Sequence, residues 1–237
     1  MSDRPDPLPT PEQVRARLDA LRAGRGYLLP HHGALAAAAP DLHAAYEQMY
    51  AALTRTQRHL DPFEKEFVWL ALLVALKEAI GTHHLQMFRG AGGSEAQARA
   101  AFRLAGYAGA AEAFEFVGQH WQDWFPTTDP HAAYLDGATR LGDPSIPDAT
   151  CHLALLAVHA ALGRQWGVAA HIRAAYAAGV AEEKLVEALS LIIWPAGVNR
   201  FVEACTTWFE LMHAGAVTPS ARFRAWAETP GQGAFRR

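Results

Sequence analysis

Arg164 and His171 lie two helical turns apart on one face of an Ala-rich segment that runs to Gly179, and the pairing suggests chemistry on an anion. A guanidinium grips a carboxylate through two parallel hydrogen bonds. An imidazole with a pKa near neutrality gives or takes a proton beside it. The same pairing recurs upstream as Lys77 and His84. Glu66 stands at the mouth of the apolar run from Phe67 to Leu76, where a carboxylate suits general-base work, and Trp69 and Trp166 are placed to wall a pocket. The set therefore reads as catalytic His171, His84 and Glu66, with Arg164, Lys77, Trp166 and Trp69 binding the substrate.

Each residue also has a plainer role open to it. His171 could be a core histidine bonded to a helix carbonyl, Arg164 could pair with Glu182, Glu183 or Glu187, and Glu66 could be a solvated first-turn carboxylate favoured by the helix dipole. His152 and His159 share a helix face and could gather a metal with His171, but their spacing matches no specific ligand motif. No metal and no other cofactor is expected. Cys151 and Cys205 make no CxxC pair and no zinc pattern, a usage that fits a reducing cytoplasm.

The elements that must carry these side chains are helices, since no segment shows the alternation of a strand. Pro11 to Ala23 has Val14, Leu18 and Leu21 at helical spacing, and Asp41 to Leu53 reads as the next amphipathic helix. Asp61-Pro62-Phe63-Glu64 predicts a capped helix start, with Asp at the cap, Pro at the first turn and Glu closing a capping box, and that helix runs to Lys77. Ser94 and Gln97 predict a second box. Later helices are expected over 131–141, 149–163, 166–178, 181–193 and roughly 196–214.

The chain repeats itself. Aligning His84 with His171 puts Lys77 on Arg164, Gly92 on Gly179, Glu95 on Glu182, Leu104 on Leu191 and Phe114 on Phe201. Such a match, in one order, reads as duplication of a unit of about 88 residues. The expected organisation is an arm and helix over 1–39, a first unit over 40–126, a second over 127–217, and a tail over 218–237 with one short helix at 221–227 before a frayed end.

Apolar residues make up 51% of the 237, charged residues 19%, and the net charge is −3 with both signs interspersed, so a globular core is affordable and no basic footprint invites nucleic acid or an anionic membrane. The Pro-rich start lacks the apolar stretch of a signal peptide, and the longest apolar run falls short of the ~20 residues of a membrane span. The expected setting is cytoplasmic.

Each unit resembles the carboxymuconolactone decarboxylase and alkylhydroperoxidase-like superfamily. The likeness rests on Gly163-Arg164 through His171-Ile172-Arg173, Gly179, Glu187-Ala188-Leu189 and Ala196-Gly197-Val198, and on Lys65-Glu66 in the first unit. It implies an all-α fold, two tandem alkylhydroperoxidase-like helical units packed as one pseudo-twofold bundle, and a homo-oligomer, trimer or dimer. The peroxidase branch of that family places CxxC before the histidine, where this chain has Lys77 and Ile80, and again Arg164 and Gly167. Without a thiolate there, hydroperoxide reduction is ruled out on chemistry. The decarboxylase branch has a basic residue where this chain has Cys151 and an acidic one where it has Gly167, which points to a divergent substrate.

The expectation is a cofactor-independent enzyme that decarboxylates or isomerises a small carboxylic acid or lactone by proton transfer. A non-catalytic helical scaffold or ligand-binding protein is the alternative, and a metal-dependent enzyme using the His-rich strip is a third.

Overall fold

The computed structural model describes residues 8–233 and, among the described residues, contains helices and turns but no strand. The expected frayed end and most of the Pro-rich start lie outside the described residues. The chain divides into two compact units, residues 1–56 and 57–237.

The first unit holds α1 (Pro11–Arg25), α2 (Pro30–Ala38) and α3 (Pro40–Tyr50), the last running into a π-helical turn at Ala51–Arg55. Thr10 and Gln13 close a capping box on α1, which ends at Gly26 in the left-handed conformation, φ 82°. Its interior is polar. His32 and His43 are buried, Leu29 N–H donates to His32 Nδ1 at 3.0 Å, His31 bonds the Tyr46 hydroxyl at 2.7 Å, and Arg25 pairs with Glu47 at 3.1 Å.

The second unit contains α4 (Pro62–Leu76), α5 (Thr82–Gly90), α6 (Glu95–Tyr107), a 3₁₀ turn at Ala108–Ala110, α7 (Ala111–His120), α8 (Pro130–Leu141), α9 (Asp148–Leu162), α10 (Gln165–Ala177), α11 (Glu182–Ser190), α12 (Ile193–Ala196), α13 (Val198–His213) and α14 (Ala221–Glu228). Beyond their polar first turns α4 and α9 are largely apolar all round, as helices buried on every side must be, and they pack against each other at its centre. Phe67, Leu70, Leu72, Leu153, Leu155 and Leu156 are all but inaccessible, each stabilising the fold by roughly 1.5–3 kcal/mol of transfer free energy. Around this pair, α5 and α6 cover α4, while α10, α11 and α13 cover α9.

The ends of these helices follow their sequences. Glu64 N–H donates to Asp61 Oδ1 at 2.8 Å, and Asp61 N–H donates to Glu64 Oε2 at 2.9 Å, the expected box. Lys184 Nζ adds a 2.6 Å bond to Glu64, tying α11 to the start of α4. Gly163 ends α9 with φ 71°, and Lys77, the one non-glycine with positive φ among the described residues, ends α4 with φ 57°. Lys77 thus occupies the position of Gly163, not that of Arg164, which corrects the sequence alignment by one residue. No helix among the described residues is long and apolar enough to cross a membrane.

Candidate functional site

Glu66 and Trp69 lie three residues apart on α4 and so project from one face toward α5. There His84 Nδ1–H donates to Glu66 Oε2 at 2.8 Å, and the imidazole stacks on Trp69 with ring centroids 4.1 Å apart and planes 20° from parallel. Glu66, Trp69 and His84 are each only 2% exposed. A carboxylate accepts only, so this bond commits Nδ1 as the donor and leaves Nε2 as the nitrogen that can exchange a proton. A buried carboxylate that orients an imidazole and stabilises its protonated form is the arrangement of a general base with its positioning partner. Three of the residues singled out in the sequence therefore meet.

Lys65, beside Glu66 on α4, adds a buried cation that the sequence reading used for the family resemblance but not for the site. Its Nζ lies 3.9 Å from Glu187 Oε1, and burial lowers its pKa while the carboxylates of Glu187 and Glu66 oppose that shift. Glu187 also accepts the backbone N–H groups of His59 and Leu60 at 2.6 and 2.7 Å, fixing the segment that leads into α4. Glu187 carried a signal in the Glu-Ala-Leu motif, but its partner 122 positions earlier in the chain did not.

Lys77 does not share a helix with His84. It is exposed at the end of α4 and lines a cleft of about 320 Å³ with Leu73, Val74, Thr82 and Leu85. In the second repeat Arg164 caps α10 from outside the helix and pairs with Glu112 of α7 at 2.8 Å. The shared helical face expected for Arg164 and His171 is therefore absent, because the chain turns at Gly163 before α10 begins. Arg164's partner is also none of the three glutamates expected.

His171 is fully buried within a chain of polar rings. His152 Nδ1 lies 3.3 Å from His171 Nδ1, His171 Nε2 lies 3.5 Å from the Tyr134 hydroxyl, and that hydroxyl lies 2.7 Å from His159 Nε2. With all three imidazoles neutral, the chain runs consistently in either direction. Burial holds the His171 pKa well below 6.5, with His159 and His152 adding to the effect, and burial lowers that of His159 to about 3. The expectation that His171 titrates near neutrality is thus corrected: nothing beside it repays the desolvation of a charge. Tyr134, which closes this network, was missed because a tyrosine in an amphipathic helix gives no sign of its partner.

Gly167 shows why an acidic residue has no place in this repeat. A Cβ there would lie 2.3 Å from His159 Nδ1, so the imidazole fills the space that a side chain would need. Trp166 stacks on His131, centroids 4.2 Å apart, and lines a cleft of about 480 Å³; its ring also meets Tyr134 edge-on. Neither His84 nor His171 is in the lining of these clefts. Both cysteines are free, and burial pushes the Cys151 thiol up to about 12 and the Cys205 thiol to about 11, the opposite of an activated nucleophile. Among the described residues, no group of three or more His, Cys, Asp and Glu side chains is arranged to hold a metal ion.

Compared with known proteins, the chain matches the model of the carboxymuconolactone decarboxylase family twice, over residues 40–117 and 131–210. No curated protein and no solved structure matches it.

Proposed function

We propose, on the premise that this chain belongs to the carboxymuconolactone decarboxylase family and carries its unit twice, that the first repeat performs cofactor-independent proton transfer on a small carboxylic acid or lactone. The observation that carries this reading is the 2.8 Å bond between Glu66 and His84 beneath the Trp69 ring. His84 Nε2 takes a proton from a carbon next to a carbonyl and returns it to the product carbon, so the chemistry is isomerisation. In decarboxylation the C–C bond to the carboxylate breaks, its electron pair moves through the carbonyl β to it to give an enolate and carbon dioxide, and His84, having taken a proton from solvent, protonates the enolate carbon. Glu66 holds the ring and steadies its charge. The raised thiol pKa values support a non-peroxidase reading.

The test uses a panel of β-keto acids and unsaturated lactone carboxylates, read by carbon dioxide release and by uptake of solvent deuterium. His84→Gln and Glu66→Gln should each reduce turnover by about 10²-fold or more, the usual contribution of an acid–base group, with circular dichroism unchanged. Full turnover in His84→Gln would sink the mechanism.

The burial of both imidazoles favours a second reading, a ligand-binding protein without catalysis. Saturable binding of a panel member with no turnover and no deuterium uptake would select it. We place the protein in the cytoplasm as a homo-oligomer, trimer or dimer. Exposed Val74, Leu85 and Phe102, which line one cleft, support the assembly, since apolar side chains gathered on a surface ask for cover.

A further inference from the structure

The cleft beside Trp166 lies outside the Glu66–His84 pair and is built from acceptors. It measures about 480 Å³, within the range of small-molecule sites, and is walled by α7, the segment before α8, the start of α8 and Trp166 of α10. Two carboxylates, Glu115 and Asp129, belong to its lining, which includes no Lys or Arg. Neither has an ion-pair partner among the described residues. The side-chain amides at the cleft donate within the protein. Gln119 Nε2 donates to Glu115 at 3.1 Å, and Gln122 Nε2 donates to the carbonyls of Phe125 and Thr128 at 3.4 and 2.8 Å.

The charged groups in the lining are therefore all negative. Asp129 uses Oδ1 to cap α8, accepting from Ala132 N–H at 3.1 Å, which leaves its second oxygen. His131 Nδ1 is buried without a hydrogen-bond partner and offers no donor to the cleft. The His131 ring stacks on Trp166 and gives the cleft an aromatic wall. Burial first, and Arg173 second, lower the His131 pKa, so its ring stays neutral and does not compete for the carboxylates. Asp129 opposes that shift, and Arg173 is outside the lining.

We propose that this cleft binds a small organic cation, an ammonium or guanidinium group held by Glu115 and Asp129 with its apolar part against Trp166. The two charges supply the attraction, and the indole covers the apolar part of the ligand. Ligand entry would also register on Tyr134, whose ring meets Trp166 edge-on at 5.5 Å.

Isothermal titration of the full chain with n-butylammonium chloride tests this, with sodium butyrate and n-butanol as size-matched anion and neutral controls. Butylammonium should bind with one-to-one stoichiometry and more weakly as salt rises, and neither control should bind. The double variant Glu115→Gln, Asp129→Asn keeps the Gln119 contact and the helix cap, and should weaken binding by about tenfold or more. Trp166→Leu should weaken it separately. Butyrate or butanol binding as well as the cation, undiminished cation binding in the double variant, or no cation binding at all would each overturn the proposal. Turnover through Glu66 and His84 should be the same in wild type and double variant, so this result stands apart from the catalytic reading.

Discussion

Substituting alanine at Gly167 sets two opposing effects against each other. A glycine inside a helix costs about 0.5–1 kcal/mol relative to alanine, so the exchange in α10 would ordinarily stabilise. Here the new Cβ would meet Nδ1, Cγ and Cε1 of His159 at 2.3, 2.4 and 2.5 Å. The imidazole is not a flexible end that swings aside. It is inaccessible to solvent, held at 2.7 Å by the Tyr134 hydroxyl, and stacked 5.4 Å from the His171 ring. Overpacking of this kind costs about 1–3 kcal/mol, and breaking the Tyr134 bond would add about 1. The clash therefore wins, leaving a net loss of about 1–3 kcal/mol, or roughly 2–12 °C in Tm for a chain of this size. Gly106 in α6 provides the contrast, because a Cβ there meets nothing within 4 Å. Gly106→Ala should raise stability by about 0.5–1 kcal/mol. Urea and thermal denaturation of both variants, with Gly167→Ala repeated in a His159→Ala background, supply the measurement. In that background the extra cost should largely vanish, as coupling between touching residues requires. A Gly167→Ala protein as stable as Gly106→Ala would refute the reasoning.

Glu187→Ala should cost about 3–5 kcal/mol in chemical denaturation, since it strands the buried Lys65 and two backbone donors together; a loss under about 1 kcal/mol would show that Lys65 finds water instead. Tyr134→Phe removes the hydroxyl shared by His159 and His171 and should cost about 1–2 kcal/mol, with an unchanged midpoint counting against the ring network. Stability should also fall with pH. His32 is held at about 4 and His159 at about 3, chiefly by burial, whereas the unfolded chain takes up these protons near 6.5. The folded form therefore binds fewer protons below 6.5, and the stability present above that pH is lost as pH drops toward 4 and then 3. A Tm that stays level between about pH 7 and pH 5 would contradict this.

The helices were legible because their boundaries are written in local chemistry. Asp61-Pro62 with Glu64, Ser94 with Gln97, and Gly179 each act within one turn, so sequence spacing alone locates them. The duplication was legible for the same reason, since each repeat carries its own periodicity. The registration of Lys77 was not, because a lysine in the left-handed conformation gives no sequence signal of the kind that Gly163 gives. Glu66, Trp69 and His84 could be chosen by residue type, but the contact among them depends on how α5 folds back on α4. Glu112 beside Arg164, and Glu187 beside Lys65, join segments far apart in sequence, and neither pairing has a local trace.

The two repeats differ at one decisive position. Glu66 is the fifth residue of α4 and His152 the fifth of α9, and each bonds the ring presented by the following helix, His84 or His171. A carboxylate beside a buried imidazole favours its charged form, whereas a second imidazole does not, and among these neighbours the His171 pKa sinks. Acid–base capacity in the second repeat is then limited by the identity of residue 152 more than by the fold. His152→Glu should restore it, raising the His171 pKa by about 1–3 through the new opposite charge. The assay is an NMR titration of the His171 ring carbons in the variant and the parent, with His171→Asn assigning the signal. If the His171 titration in the variant does not move upward from that of the parent, burial alone governs the ring, and the contrast drawn between the repeats is mistaken.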